Sequence, residues 1–189
     1  MIDNIDVAER AVQTLLDELN LDEGEHTRET PKRVVKAWRE RVKGYDIDPR
    51  EILQKTFPAE YDPGIVIVKG VSFSSTCAHH LLPITGKATI AYRPDPSEGQ
   101  VVGLSKLSRV FQAYALRLQI QEQLGHQVVE TLQEVLHPVG SACIITAEHG
   151  CMTVRGVQDP GTLTTTVSTS GSWSLDRSDV DWVLDEHRH

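Results

Sequence analysis

Apolar residues return at helical spacing near the start of the chain. Ile5, Ala8, Ala11, Val12, Leu15, Leu16 and Leu19 predict a first amphipathic helix. The segment RETPKRVVKAW predicts a second, with Thr30 as N-cap, Pro31 at the first helical position, and Val34, Val35 and Trp38 on one side. Gly44 and Pro49 punctuate its end. The period then changes. GIVIVKGVSFSS is rich in valine and isoleucine with partial alternation, and GKATIAYRP reads as a second strand stopped by Pro94 and Pro96. DPSEG reads as a turn. From Gly103 to Leu136 no proline intervenes. Leu107, Val110, Phe111 and Tyr114 line one helical face there, and Leu124, Val128, Leu132 and Val135 or Leu136 line another. One long helix and two helices broken near Leu118 both satisfy this pattern, with Gly125 as the interior glycine. HPVG stops it. SACIITAEHGCMTVRGV and TLTTTVSTSGSW predict two more strands, and LDRSDVDWVLDEHRH a short acidic helix ending in frayed histidines. Strands arriving in hairpin-like pairs favour antiparallel pairing over βαβ crossovers. There is no internal repeat and no long linker.

The 189 residues, 39% hydrophobic and 24% charged, suffice for one domain with a real core. Such a chain buries roughly 70% of its unfolded surface. No apolar run approaches the roughly 20 residues of a membrane-spanning helix. The acidic opening MIDNIDVAER lacks the basic start and apolar stretch of a secretory signal. A cytoplasmic protein is therefore expected. The formal net charge of −8 argues against nucleic acid as a partner, because phosphate-backbone binding needs a basic face. A small anionic substrate needs only a few local cations and stays possible. Three cysteines, Cys77, Cys143 and Cys151, do not suggest a disulfide framework; metal ligation or simple burial is preferred.

Chemistry concentrates in two places. FSSTCAHHLLPITGKATIAY sets Cys77, His79 and His80 together where a strand ends. The C-x-x-H spacing suits a tight turn around one ion. In EHGC, His149 and Cys151 are two apart in a predicted strand, so both side chains would share a face and aim at that turn. Cys77, His80 and Cys151 would give Zn²⁺ two thiolates and one imidazole, leaving a position for water as in catalytic sites. His79 and His149 would then be free to move protons. A structural Cys2His2 site, or a Cys151 that is merely buried like Cys143, satisfies the same spacing. GLSKLSR places Ser105, Lys106 and Arg109 at a helix start, where phosphate is attracted. Arg155 and Arg33 are further candidate cations, although a solvated basic face is the commoner outcome for each. Gln121 and Glu122 in LQIQEQL have the donors and acceptors to read a guanine edge; in most helices such a pair is simply exposed. Thr164, Thr165 and Thr166 suit a strand and are given no chemistry.

The segments STCAHHLLPITGKATIAYRP, VVGLSKLSR, RLQIQEQL and AEHGCMTVRGV, in this order, resemble the GTP cyclohydrolase I family. The likeness runs from about Thr30 to Trp173. It implies an α+β tunnelling fold: a four-stranded antiparallel sheet on two long antiparallel helices, preceded by a helical segment. That is a single domain over residues 1–189, with N-terminal helices in 1–45 and the core in 62–175. It implies a homodecamer with active sites at subunit interfaces. The implied reaction turns GTP and water into 7,8-dihydroneopterin triphosphate and formate, the first step of pterin and folate biosynthesis. By motif matching, Cys77, His80 and Cys151 would hold zinc. His149 and His79 would be the acid–base groups, and Glu122, helped by Gln121, would hold guanine. Lys106, Arg109, Arg155 and a neighbouring subunit's counterpart of Arg33 would hold the triphosphate, with Ser105 near the ribose. Family members usually carry glutamate where this chain has Ala78. That departure admits two alternatives: a paralogue that only opens the purine ring, and a non-catalytic zinc- and GTP-binding oligomeric regulator. A zinc nucleobase deaminase is disfavoured, because H-x-E…P-C-x-x-C is absent.

Overall fold

The computed structural model describes residues 4–21, 24–59, 61–98 and 100–189. Helix α1 spans Ile5–Glu18, capped by Asn4, whose side chain accepts from the Val7 amide. Helix α2 spans Thr30–Arg41. Its cap is Glu29 rather than Thr30, and Pro31 stands at the second helical position. The cause is the entry: a 3-10 turn over Gly24–His26 and a bond from the Thr30 amide to the Thr27 carbonyl already wind the chain, so no extended cap residue is needed. Helix α3, Pro49–Leu53, is capped by Asp48.

Strands β1 (Thr56–Pro58), β2 (Val66–Cys77), β3 (Pro83–Arg93) and β4 (Gln100–Val102) follow. The turn between β3 and β4 is held by Asp95, which accepts from the Ser97 amide; Gly99 of the predicted turn lies outside the described residues. Helix α4 is Leu104–Ala115, β5 is Leu118–Gln119 and α5 is Gln121–Leu136, so the long helical stretch is two helices broken at Leu118. Then come β6 (Gly140–His149), α6 (Gly150–Thr153), β7 (Thr164–Gly171) and α7 (Ser178–Arg188).

The class is α+β. Four strands, β2-β3-β6-β7, form a continuous antiparallel sheet. A fifth, the two-residue β5, pairs parallel with the end of β2, and β1 and β4 form a separate antiparallel pair. The expectation of four strands is corrected here. The chain between α4 and α5 runs beside the free edge of β2 and satisfies part of it.

One face of the sheet packs on α4 and α5. Leu107, Val110, Phe111, Leu124, Val128 and Leu132 meet Ile84, Ile90, Cys143 and Ile145 there, all buried. Phe73 and Phe111 meet edge to face at 5.1 Å. A bulge between Val68 and Val71, with Gly70 at φ +71, sets the phase of β2. Before it Val66 and Val68 face the helices; after it Val71, Phe73 and Cys77 do. The extra residue is why the alternation looked only partial, and it turns Cys77 inward.

The opposite face is covered by α7. Val180 and Val183 pack with Ala91, Ala142, Ile144 and Trp173. His187, expected to be frayed, is anchored: Nδ1 lies 2.8 Å from Thr89 Oγ1 and Nε2 lies 2.8 Å from Thr146 Oγ1. Arg41 ties α2 to the end of β2, donating to Thr76 Oγ1 at 2.9 Å and to the Ser75 carbonyl at 2.6 Å.

Candidate metal centre

β2 and β3 are joined by a hairpin loop, Ala78–Leu82. The Cys77 amide donates to the Leu82 carbonyl, and the Leu81 amide donates back to the Cys77 carbonyl. Leu81 sits at φ +58, which closes the loop. This tight turn brings His80 back over Cys77, with Nδ1 3.8 Å from Sγ. The Ala78 amide is held by the Gln119 carbonyl of β5.

Cys151 reaches the same point by a route other than the one its spacing suggested. β6 ends at His149 because its partner β3 begins at Pro83, and the last register pair is Ile84 with His149. With no ladder left to join, the chain turns into α6, and Cys151 sits on that helical turn. His149 remains on the helix-facing side with Cys143, Ile145 and Ala147.

The donor atoms of Cys77, His80 and Cys151 all lie within 4.8 Å of one another. Sulfur and nitrogen ligands at about 2.3 and 2.0 Å from a tetrahedral ion stand roughly 3.5–4 Å apart, so one ion can be shared. No fourth Cys, His, Asp or Glu joins them among the described residues. The electrostatics agree. Burial pushes the Cys151 thiol up and the adjacent Cys77 pushes it further, while Arg155 pulls it down. Two thiols this close resist joint ionisation, and a cation between them removes that cost. Two sulfurs with an imidazole fit a borderline-soft divalent ion. Cys143 is different: fully buried away from the cluster, its thiol is pushed far up and is inert.

Gln121 and Glu122 open α5 and divide sharply. Gln121 is 2% exposed, whereas Glu122 is exposed. The Gln121 amide nitrogen lies 3.0 Å from the Ile145 carbonyl, 3.0 Å from the Thr164 carbonyl and 3.2 Å from Thr166 Oγ1. Its Oε1 lies 2.7 Å from His149 Nε2. All its polar atoms are therefore engaged inside the chain. Burial lowers the His149 pKa, and the nearby Glu122 carboxylate opposes the shift. β7, assigned no chemistry from its threonines, supplies two of the acceptors that fix Gln121. Nothing in TLTTTVSTSG announces this, because the contact needs the register of β6 against β7.

His79 is exposed beside His80, ring centroids 6.1 Å apart. The remaining candidates lie elsewhere. Tyr92, at the far end of β3, accepts through its hydroxyl oxygen from the Val102 amide at 3.0 Å, just before α4 begins. From Pro83 beside the metal cluster to Tyr92 is nine residues of strand, roughly 30 Å. Ser105 and Lys106 start α4 at that far end, and Lys106 Nζ donates to the Ile52 carbonyl at 2.6 Å. Arg109 is exposed one turn on, and Arg33 is exposed on α2. No hydrogen bond or ion pair joins these four to the cluster among the described residues. The structure therefore gathers Cys77, His80, Cys151, His149, Gln121, Glu122 and Arg155, and leaves Arg33, Ser105, Lys106 and Arg109 outside.

An antiparallel sheet with helices on the face that carries two thiols and an imidazole defines an α+β protein with three donors that could hold a cation, beside an oriented histidine. The profile of the GTP cyclohydrolase I family matches residues 8–188. GTP cyclohydrolase 1 of Streptococcus pyogenes is 42% identical over 182 residues, covering 96% of this chain and 92% of that protein. GTP cyclohydrolase 1 of Brucella canis is 46% identical over 169 residues, covering 88% and 78%. The chain belongs to the GTP cyclohydrolase I family. A solved structure of the archaeosine synthase QueF-Like in its apo form is similar over 59% of this chain and 97% of its own, with 17% identity and a TM-score of 0.47.

Proposed function

We propose that the chain converts GTP and water into 7,8-dihydroneopterin triphosphate and formate. The observation that carries this is the Cys77, His80 and Cys151 donor set beside a histidine held by Gln121, in a chain of this family. Zinc is the ion proposed there; when bound it supplies Lewis acidity and lowers the pKa of water to near neutrality.

The chain's own residues do the rest. Water adds at C8 of the purine, and His149 moves the proton at the neighbouring ring nitrogen. The imidazole opens, formate leaves after a second hydrolysis, and the ribose carbons rearrange and reclose on the base with loss of water. The net consumption is one water. Several proton transfers are required, and His79 is the second acid–base group, placed toward the sugar. Glu122 accepts from the guanine N1–H and 2-amino group, leaving Gln121 to its internal bonds. Arg155, whose charge already acts on Cys151, holds phosphate.

Lys106, Arg109, Ser105 and Arg33 take part from neighbouring chains. The length of β3 that separates the cluster from the start of α4, roughly 30 Å, supports an assembly, a homodecamer, in which each site is completed across an interface. Uncovered apolar residues support the same reading: Val154 and Val157, just past Cys151, are 65% and 72% exposed, and Leu15 and Leu19 of α1 are 58% and 57% exposed. The proposed architecture is one tunnelling-fold domain. No helix among the described residues is long and apolar enough to cross a membrane, and a cytoplasmic location is proposed.

The test is a product assay with zinc-loaded protein and GTP. Fluorescent neopterin after oxidation, with formate in equal amount, is expected. Formate without pterin would instead assign the chain to ring opening alone, the reading that Ala78 favours by removing a carboxylate from the hairpin loop. GTP binding with no product would make it a regulator.

A further inference from the structure

Gln121 has an orientation that the surroundings dictate. Its amide nitrogen faces two backbone carbonyls, those of Ile145 and Thr164, each at 3.0 Å. Carbonyls only accept, so a flipped amide would set oxygen against oxygen at both contacts. Oε1 is therefore the atom 2.7 Å from His149 Nε2, and an amide oxygen also only accepts. The proton in that contact must sit on Nε2. In a neutral imidazole this leaves the lone pair on Nδ1. The side chain that sets this up is buried to 2% exposure and rests on three elements, α5, β6 and β7.

We propose that Gln121 is a positioning residue that locks His149 in its Nε2–H tautomer and makes Nδ1 the atom that exchanges protons with substrate. The proposal deepens the cyclohydrolase reading and rests on it for the identity of the substrate, but the tautomer stands on geometry alone. It separates two adjacent residues that the sequence presents as one guanine-reading pair. Glu122, exposed, meets the base; Gln121, saturated, never does. The lock is passive: a neutral amide oxygen orients the ring without adding a charge that would hold the second proton. A carboxylate at position 121 would lose this, because its oxygens would face the Ile145 and Thr164 carbonyls.

The primary experiment uses the intact zinc-loaded assembly, labelled with ¹⁵N at histidine, without substrate. Solid-state ¹⁵N spectra are recorded at pH 8.5, with His149→Gln protein identifying the signals of His149. A protonated Nε2 and an unprotonated Nδ1 are expected. The opposite tautomer, or an even mixture, overturns the proposal whatever the protein does to GTP. The second experiment compares Gln121→Ala and Gln121→Asn with wild type. Loss of kcat by about 100-fold is expected, the lower end of what proton-transfer catalysis contributes, with KM for GTP within about threefold and zinc content unchanged. The His149 signals should move toward a tautomer mixture. A large rise in KM with kcat retained would make Gln121 a base-reading residue and overturn the proposal. If neither variant folds, the wild-type spectrum still decides it. An Nε2–H signature in a protein that makes no pterin would leave the lock standing and sink only the cyclohydrolase reading.

Discussion

His187 Nδ1 lies 2.8 Å from Thr89 Oγ1, a hydroxyl with no exposure in the middle of β3. The other ring nitrogen meets Thr146, whose hydroxyl also meets Thr165, so the last turn of α7 is stitched to three strands. Burial lowers the pKa of His187 below 6.5, and no charged group contributes. The folded protein thus refuses a proton that the unfolded chain accepts. Stability from this source is full above about pH 6.5 and declines as pH falls through that value toward the lowered folded pKa. His187→Ala should cost about 1–3 kcal/mol by orphaning the Thr89 hydroxyl, and should flatten the loss of thermal stability between pH 7.5 and 5.5. Melting curves of the two proteins across that range check it. Because His149 is shifted in the same direction, the slope should shrink without vanishing.

Gly125 lies where α5 crosses β7. A Cβ there would stand 2.6 Å from Ser168 Oγ and 3.2 Å from Ser168 Cβ. Alanine gains up to about 1 kcal/mol of helix propensity over glycine, but overpacking costs about 1–3 kcal/mol. Gly125→Ala is expected to destabilise, and Ser168→Gly in the same chain to recover most of the loss. Urea unfolding of the singles and the double measures the coupling. Simple additivity would mean that the two residues do not crowd each other.

Cys151→Ala removes one donor of three. Metal retained after dialysis should drop to on the order of a tenth of wild type or less, since structural and catalytic zinc both need their full set of protein ligands. Cys143→Ala should retain its metal, because that thiol is buried away from the cluster. Elemental analysis of both proteins is the check.

Glu122→Ala should raise KM for GTP by about 10–100-fold, the worth of hydrogen bonds to a charged group. Metal content and melting temperature should hold, because the side chain is exposed. Unchanged KM would remove Glu122 from the base pocket.

Lys106→Ala should weaken GTP more than guanosine. In a mixture of Lys106→Ala and Cys151→Ala chains, assemblies should regain part of the lost activity, since a site completed across an interface can draw one intact residue from each chain. Absence of any recovery under conditions of proven subunit exchange would place Lys106 in its own chain's site.

Much of this protein was legible in its one-dimensional pattern. Helical and strand periods located the elements, and C-x-x-H identified a turn that does bring Cys77 and His80 together, because both signals are local. The rest depended on partners distant in sequence. The bulge at Gly70 turned Cys77 toward the helices, an outcome fixed by pairing with β3. The early end of β3 put Cys151 on a helical turn, since a strand without a ladder partner leaves its backbone unsatisfied. Gln121 and Glu122 look alike in composition, and only the carbonyls of β6 and β7 made one a buried clamp and left the other in solvent. Lys106 and Arg109 read as phosphate-attracting cations at a helix start, and spacing could not say that the length of β3 sets that start apart from Cys77. Sequence by itself determined which segments curl, which extend and which donors are available. Tertiary structure decided which way each donor points and what it meets, because burial and hydrogen-bond satisfaction are properties of neighbours rather than of spacing.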